Sequence, residues 1–221
     1  MRRERAADVR RAVGMALVLL LIGAAASARG DERVDVTALD GTQLIGELGG
    51  TSGPGVVLVH GDRADRGRWA AAARVLTERG YRTLRLDLRG HGESGGAVDL
   101  AAADQDVEGA YRYLLGRKIR PVFLVGDGVG GSAALVVASR VPVAAVAALG
   151  RQPASDGPDP RATLASLRVP TLFVVHEGDQ ATKTLAAGVA SSRVVVVPEA
   201  DVVTSPRTAP ALAELFDSTA R

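Results

Sequence analysis

Polar and glycine-rich sequence follows three apolar segments of this chain. His60 and Gly61 follow the apolar residues 55–59, the loop DLRGHGES occupies residues 87–94, and GDGVGG occupies residues 126–131. Histidine and carboxylate side chains can transfer protons, and glycines allow tight turns close to a ligand. If the apolar segments are parallel strands, the three loops meet beyond the carboxyl ends of one sheet, which is where such folds place their sites.

The elements that position these loops alternate along the chain. Asp40-Gly41 lies between two alternating segments and predicts a hairpin. Short apolar runs, typical of buried parallel strands, then alternate with helical segments. We predict strands at residues 34–38, 43–48, 55–60, 81–87, 121–126, 143–149, 170–176 and 193–197, and helices at residues 69–79, 99–115, 132–140, 181–190 and 210–220. This order predicts an α/β fold with an eight-stranded, mostly parallel sheet and helices on both faces.

The three loops resemble those of the α/β-hydrolase superfamily, most closely its compact esterase and lipase-like members. The resemblance is carried by His60-Gly61 after an apolar strand, by D-x-R-G-x-G-x-S at residues 87–94 and by Trp69, nine residues past the histidine. It implies an α/β-hydrolase fold from about Val34 to the C-terminus. Only twenty residues follow the predicted sixth strand before Pro170, so the resemblance implies little or no cap domain.

The resemblance also implies a catalytic triad in the chain order serine, acid, histidine. The serine belongs in the middle of G-x-S-x-G, and alignment on Gly126 and Gly130 places Gly128 there. The acid falls at Asp179, although a Gly-Asp pair is also an ordinary turn. The histidine belongs in the loop after the last strand, where Val202 stands, and no histidine follows Asp179.

The family's oxyanion hole uses two backbone N–H groups, which here belong to Val129 and Asp62. A carboxylate about 5 Å from a developing oxyanion would repel it by about 3 kcal/mol at an effective dielectric near 20. Asp62 could instead face solvent or pair with Arg63. In subtilisin, loss of the catalytic serine or histidine lowers turnover by about 10⁶. We therefore expect an inactive relative that binds a small molecule or a protein at the old site, and the alternative is a weak hydrolase of ester-like substrates.

Two further interpretations remain. His60, His91, Asp127 and Asp179 could form a metal or acid–base site, although their separations match no metal motif. Ser132 is expected to cap or pack the helix rather than to act as a nucleophile.

The second interpretation is a dinucleotide-binding domain, because Gly126-x-Gly128-x-x-Gly131 matches G-x-G-x-x-G. It follows the fifth predicted strand rather than the first, and the next strand ends near Arg151 instead of an acidic residue. We expect no cofactor and no metal.

The N-terminus has the pattern of a secretory signal peptide. Five arginines precede an apolar run at residues 13–26 and an Ala-Ser-Ala site at residues 26–28. We predict cleavage after Ala28, which leaves residues 29–221 as one exported α/β-hydrolase domain, periplasmic or secreted. An uncleaved membrane anchor is the alternative, because the uncharged residues 12–28 would span about 26 Å as a helix against a bilayer core of about 30 Å.

Composition narrows the function classes. With 47% hydrophobic and 24% charged residues, the chain of 221 residues suits one folded domain. Residues 29–221 carry 22 basic and 23 acidic side chains, which gives no reason to expect a nucleic acid or an anionic membrane as partner. The chain has no cysteine, which excludes disulfides and a cysteine nucleophile.

Overall fold

One sheet organises the structure, a computed structural model that describes residues 31–152 and 156–219. Its eight strands within those residues are β1 (Glu32–Thr37), β2 (Gln43–Gly49), β3 (Gly55–Val59), β4 (Arg82–Leu86), β5 (Val122–Asp127), β6 (Ala145–Leu149), β7 (Thr171–His176) and β8 (Ser192–Val197). Their order across the sheet is β1-β2-β4-β3-β5-β6-β7-β8. The predicted eight-stranded α/β-hydrolase fold is confirmed.

The pairing of the strands brings the loops of interest together. The β1–β2 hairpin turns at Asp40-Gly41, where Thr42 N–H donates to the Asp40 carboxylate at 3.0 Å. β2 runs antiparallel to β4, and the six strands from β3 to β8 run parallel to one another. Val59 of β3 lies opposite Leu86 of β4 and Gly126 of β5. The loops that follow these three strands therefore begin level with one another at one edge of the sheet.

Helices cover both faces of the sheet. Those in the described residues are α1 (Ala70–Glu78), α2 (Ala103–Gly116), α3 (Val129–Ala138), α4 (Gln180–Ala187) and α5 (Thr208–Thr219). Helices α2, α3 and α4 contribute to the apolar core on one face, and α1 and α5 to the core on the other. Aromatic residues are few, but Phe123 and Phe216 pack in the second core with ring centroids 4.3 Å apart. The rest of both cores is mainly valine, leucine and alanine.

One helix boundary differs from the prediction in a way that bears on function. α3 begins at Val129, three residues before the expected start at Ser132. Gly130 and Gly131 suggested a loop, but both lie in the first turn of the helix, and Ser132 N–H donates to the Gly128 carbonyl at 3.0 Å. The helix therefore starts directly at the end of β5.

The β6–β7 connection is short. In its described portion the regular structure consists of two 3₁₀ turns, Pro160–Ala162 and Leu164–Ser166. The predicted signal peptide or membrane anchor, residues 1–28, lies outside the described residues. Among the residues that are described, no helix has both the length and the apolar character needed to cross a bilayer.

Candidate functional site at the carboxyl ends of the strands

A sharp turn joins β5 to α3, and we call Asp127-Gly128-Val129 the elbow. Gly128 has φ +51° and ψ −118°, close to the first central position of a type II′ turn, a conformation that glycine adopts without steric cost. Its N–H donates to the Leu149 carbonyl at 2.9 Å. A Cβ built on Gly128 would meet only Gly61 Cα, at 3.6 Å. There is room for a side chain at the elbow, and the sequence places only a hydrogen atom there.

The glycines on either side of the elbow are required by packing. A Cβ on Gly126 would lie 2.1 Å from the Gly130 carbonyl carbon, and a Cβ on Gly130 would lie 2.6 Å from the His60 carbonyl oxygen. These approaches bring the start of α3 against both β5 and the end of β3. The turn therefore keeps the compact strand–turn–helix form that positions a nucleophile in this fold.

Gln152 holds the backbone of the elbow in place through hydrogen bonds. Its side chain is fully buried, and its Nε2 donates to the carbonyls of Gly128 and Leu149, each at 3.0 Å. Its Oε1 accepts a hydrogen bond from Ser132 Oγ at 2.7 Å, and its backbone N–H donates to Thr182 Oγ1 at 2.7 Å. Ser132 is thus buried in helix packing, as expected. No sequence motif points to Gln152, which acts by holding the backbone of the turn.

Arg68 lies between the elbow and the loop after β8, where the family's catalytic acid–base groups would be expected. Arg68 Nε donates to Asp127 Oδ2 at 2.8 Å, and its Nη2 donates to Asp201 Oδ1 at 2.8 Å. We call these three residues the arginine bridge. Asp127 belongs to the elbow and Asp201 to the loop after β8, so the bridge ties together the two segments that would carry the nucleophile and the histidine.

The Asp127 carboxylate sits in a tight backbone frame. A Cβ on Gly61 would lie 3.1 Å from Asp127 Oδ2, and a Cβ on Gly150 would lie 2.9 Å from Asp127 Oδ1. The side chain is 14% exposed, and burial raises the pKa of Asp127 although Arg68 opposes the rise. For Asp201, burial also acts to raise the pKa, but Arg68 and the N–H groups of the following loop lower it on balance. The bridge therefore holds two carboxylates around one guanidinium.

The two remaining triad positions have structural contacts. Val202 is 4% exposed and packs in the core shared with α1 and α5. Asp179 caps α4: its Oδ1 accepts the Thr182 N–H at 3.0 Å, and its Oδ2 accepts the Thr182 hydroxyl at 2.6 Å. Both positions line one cleft together with Gly150, and Val202 Cγ2 would be 3.7 Å from a Cβ on Gly150. Capping alone accounts for an acidic residue at position 179.

The two oxyanion-hole positions differ in their surroundings. Val129 is buried at the start of α3, and Gly157 from the β6–β7 connection packs against its side chain. The Asp62 carboxylate is 47% exposed and lies 3.2 Å from Arg63 Nε. Asp62 therefore pairs with Arg63 near solvent, which is one of the alternatives to facing an oxyanion. The site can be explained without repulsion of an oxyanion by this carboxylate.

The histidines take backbone partners. Leu88 N–H donates to His60 Nε2 at 3.0 Å, so the neutral His60 ring carries its proton on Nδ1 and donates to the Gly61 carbonyl at 2.7 Å. Burial lowers the pKa of His60. His91 Nδ1 lies 2.9 Å from the Arg89 carbonyl, and Gly178 N–H donates to His176 Nδ1 at 3.2 Å. Within residues 31–152 and 156–219, no histidine is hydrogen-bonded to a serine.

The four residues considered for an acid–base or metal site do not form one cluster. His60 and His91 lie together, with ring centroids 5.1 Å apart, but Asp127 is in the arginine bridge and Asp179 caps α4. Among the described residues, no three histidine, aspartate or glutamate side chains are grouped as metal ligands. The four residues share one edge of the sheet without forming a common site.

The polar residues of the DLRGHGES loop hold neighbouring loops in place. The buried Asp87 carboxylate accepts the N–H groups of Arg66 at 2.7 Å and Glu93 at 3.0 Å. Arg89 Nη2 pairs with the buried Asp106 of α2 at 2.7 Å. Ser94 Oγ donates to the Asp87 carbonyl at 2.7 Å. These contacts fix the loop beside β3, so the motif marks the fold without supplying reactive groups.

The sheet order, the elbow and the loop after β8 define the class of protein as an α/β hydrolase by fold. Residues 53–176 match the family described as serine aminopeptidase S33, and this match covers more than half of the chain. The chain belongs to this family of α/β hydrolases.

Curated relatives match over shorter stretches. The chain is 36% identical over 96 residues to the dihydrolipoyllysine-residue acetyltransferase component of the acetoin cleaving system of Pseudomonas putida, covering 43% of this chain and 26% of that protein. It is 34% identical over 95 residues to protein phosphatase methylesterase 1 of Bos taurus, covering 41% of this chain and 25% of that protein. The chain thus spans about a quarter of the length of the curated relatives it matches.

Solved structures share the fold over most of the chain. A thermophilic esterase from Thermogutta terrifontis, described with malate bound, superposes with a TM-score of 0.70 at 20% identity over 86% of this chain and 100% of that one. An esterase from Pyrococcus furiosus superposes with a TM-score of 0.75 at 15% identity over 87% and 94% of the two chains. A likeness at this identity shows the fold alone. The strand order also differs from the 3-2-1-4-5-6 order of dinucleotide-binding domains.

Proposed function

We propose that this chain is an exported, non-catalytic α/β-hydrolase-fold protein that binds a small molecule or a protein at the mouth of its vestigial active site. The observation that carries the proposal is the elbow itself. Gly128 keeps the backbone geometry of a nucleophile turn, with space for a side chain, yet it offers no oxygen. Acyl transfer by this fold needs a hydroxyl at that point and an imidazole to accept its proton.

The arginine bridge supports the same proposal. A general base must be within hydrogen-bond reach of the proton that it removes. The elbow and the loop after β8 are instead joined by the Arg68 guanidinium, which has only N–H donors and no acceptor atom. Val202 takes an apolar core position next to Asp201. The contacts in this region stabilise a fixed arrangement of loops rather than a proton relay.

Export is part of the proposal and rests on the sequence pattern of residues 1–28. Its test is independent of the site. Intact-mass measurement of the protein recovered from the periplasm or culture medium should give a chain that begins at Arg29. A mass that includes the first residues would instead indicate an uncleaved anchor.

Turnover of activated esters tests the loss of catalysis. The purified protein should hydrolyse p-nitrophenyl butyrate no faster than a matched sample of denatured protein. Gly128→Ser should also be inactive, because a hydroxyl without an imidazole partner stays protonated. The elbow has room for the new side chain, but φ +51° strains an L residue there, so urea unfolding must verify that the variant folds.

Asp179→Asn supplies the matched control. If wild-type protein shows turnover and Asp179→Asn abolishes it, a non-standard hydrolase site exists and the proposal fails. If any background rate is the same in wild type, Gly128→Ser and Asp179→Asn, the rate does not come from the triad positions, as proposed.

A further inference from the structure

An open cleft lies beside the elbow, between the loops that follow β6, β7 and β8. Its volume is about 570 Å³, and it is bounded by Arg151 and Gly150 after β6, by His176 and residues 178–181 after β7, and by Ala200 and Val202 after β8. The backbone leading into Arg151 is fixed, because Gly150 has φ +69° and packs against the Asp127 carboxylate. The cleft therefore borders the arginine bridge without including its guanidinium.

Arg151 differs from the arginines that stabilise the fold. Arg66, Arg68 and Arg89 each pair with two or more carboxylates. Arg151 is exposed at the cleft, and no carboxylate of the described chain, residues 31–152 and 156–219, forms an ion pair with it. Its planar guanidinium can bind a carboxylate through two parallel N–H donors.

Two other side chains of the cleft can donate hydrogen bonds to a ligand. Because His176 Nδ1 accepts the Gly178 N–H, the neutral ring carries its proton on Nε2 and can donate it. Gln180 is exposed at the cleft, and its side-chain amide has no hydrogen-bond partner among the described residues. Asp179, the acidic residue of the cleft, uses both of its oxygens on Thr182.

We propose that this cleft binds a small organic carboxylate, with its carboxylate group on Arg151 and its hydrocarbon part against Ala200 and Val202. This assignment rests on the proposed function, since it names the ligand class of the vestigial site. A cation without a protein partner supplies the charge, and the His176 and Gln180 donors lie on the same cleft. The apolar wall favours a short aliphatic chain over a fully hydrated anion.

The test is a nuclear magnetic resonance titration of the full-length protein with butyrate at low ionic strength. Butyrate should shift the backbone amide signals of Gly178 and Gln180 with a dissociation constant on the order of 1 mM, as expected for so small a ligand. Arg151→Gln should weaken binding by about tenfold or more, because a hydrogen-bonded ion pair is lost. Arg120→Gln is the matched control, since Arg120 is exposed at the opposite end of the sheet and lines another groove.

Several results would overturn the assignment. These are equal binding of butyrate and the uncharged butyramide, equal weakening by Arg151→Gln and Arg120→Gln, tighter binding of inorganic phosphate than of butyrate, or no butyrate shifts at these amides. Ester turnover that depends on Asp179 would instead refute the non-catalytic function and leave carboxylate binding as measured. The two proposals therefore fail by different observations.

Discussion

Replacing Arg68 with glutamine removes the guanidinium that joins Asp127 to Asp201 and leaves Asp127 as a carboxylate enclosed by backbone. Removing one partner of a fully buried ion pair costs about 3–5 kcal/mol. The Asp127 and Arg68 side chains are 14% and 27% exposed, so water still reaches the pair. We expect Arg68→Gln to lower the free energy of unfolding by about 1–3 kcal/mol at pH 7.

The loss should depend on pH. Burial raises the folded-state pKa of Asp127 above its ordinary value of 3.8, and without Arg68 it should rise further. A raised carboxyl pKa means that stability falls as pH rises from the ordinary value to the folded-state value and stays low above it. The deficit of Arg68→Gln should therefore be small below pH 4 and reach its full size above the raised pKa. Asp201 adds to this trend, because Arg68 helps to lower its pKa.

Urea unfolding followed by the fluorescence of Trp69 measures this directly, because Trp69 is the single tryptophan and is fully buried. Arg74→Gln is the matched control: Arg74 and Glu78 are 74% and 61% exposed, and such a pair contributes less than about 1 kcal/mol. Adding Asp127→Asn to Arg68→Gln should recover part of the loss. A deficit that is equal at pH 4 and pH 7, or no larger than that of Arg74→Gln, would refute the reasoning.

Three further substitutions test the parts that shape the site, each by urea unfolding. Gln152→Ala should lower the free energy of unfolding by about 2–3 kcal/mol, because it removes the donors that hold the elbow carbonyls. A decrease of less than about 0.5 kcal/mol, which is typical of an exposed polar residue, would contradict this role. Gly126→Ala should cost more than about 3 kcal/mol or prevent folding, since its Cβ meets backbone, whereas Gly116→Ala, which meets nothing within 4 Å, should be neutral or stabilising. Asp179→Ala should cost about 0.5–2 kcal/mol through loss of the α4 cap, and an unchanged stability would argue against capping.

The fold was predictable because it depends on short-range patterns. Apolar runs such as residues 55–59 and 122–126 become buried strands, and the Asp40-Gly41 turn sets the first hairpin. The helix that follows the elbow began earlier than expected, because glycines that usually end regular structure are needed there for close backbone contact. Local composition does not show which backbone will approach a glycine.

The residues around the elbow were only partly predictable. Alignment with the family's motifs assigns Gly128 to the nucleophile position, and in the structure Gly128 is the turn residue between β5 and α3. The arginine bridge was missed, because Arg68 is 59 positions from Asp127 and 133 from Asp201 in sequence. Such pairing depends on loop conformations that bring distant side chains together. Gln152 was missed for the same reason.

Covalent labelling with a fluorophosphonate tests the central claim most directly, since this reagent phosphonylates a serine that an imidazole has activated. Intact-mass spectrometry of the folded protein after exposure should show the unmodified mass for wild type and for Gly128→Ser. A stoichiometric mass increase on the folded wild-type protein, lost on unfolding before exposure, would show an activated serine and contradict the account.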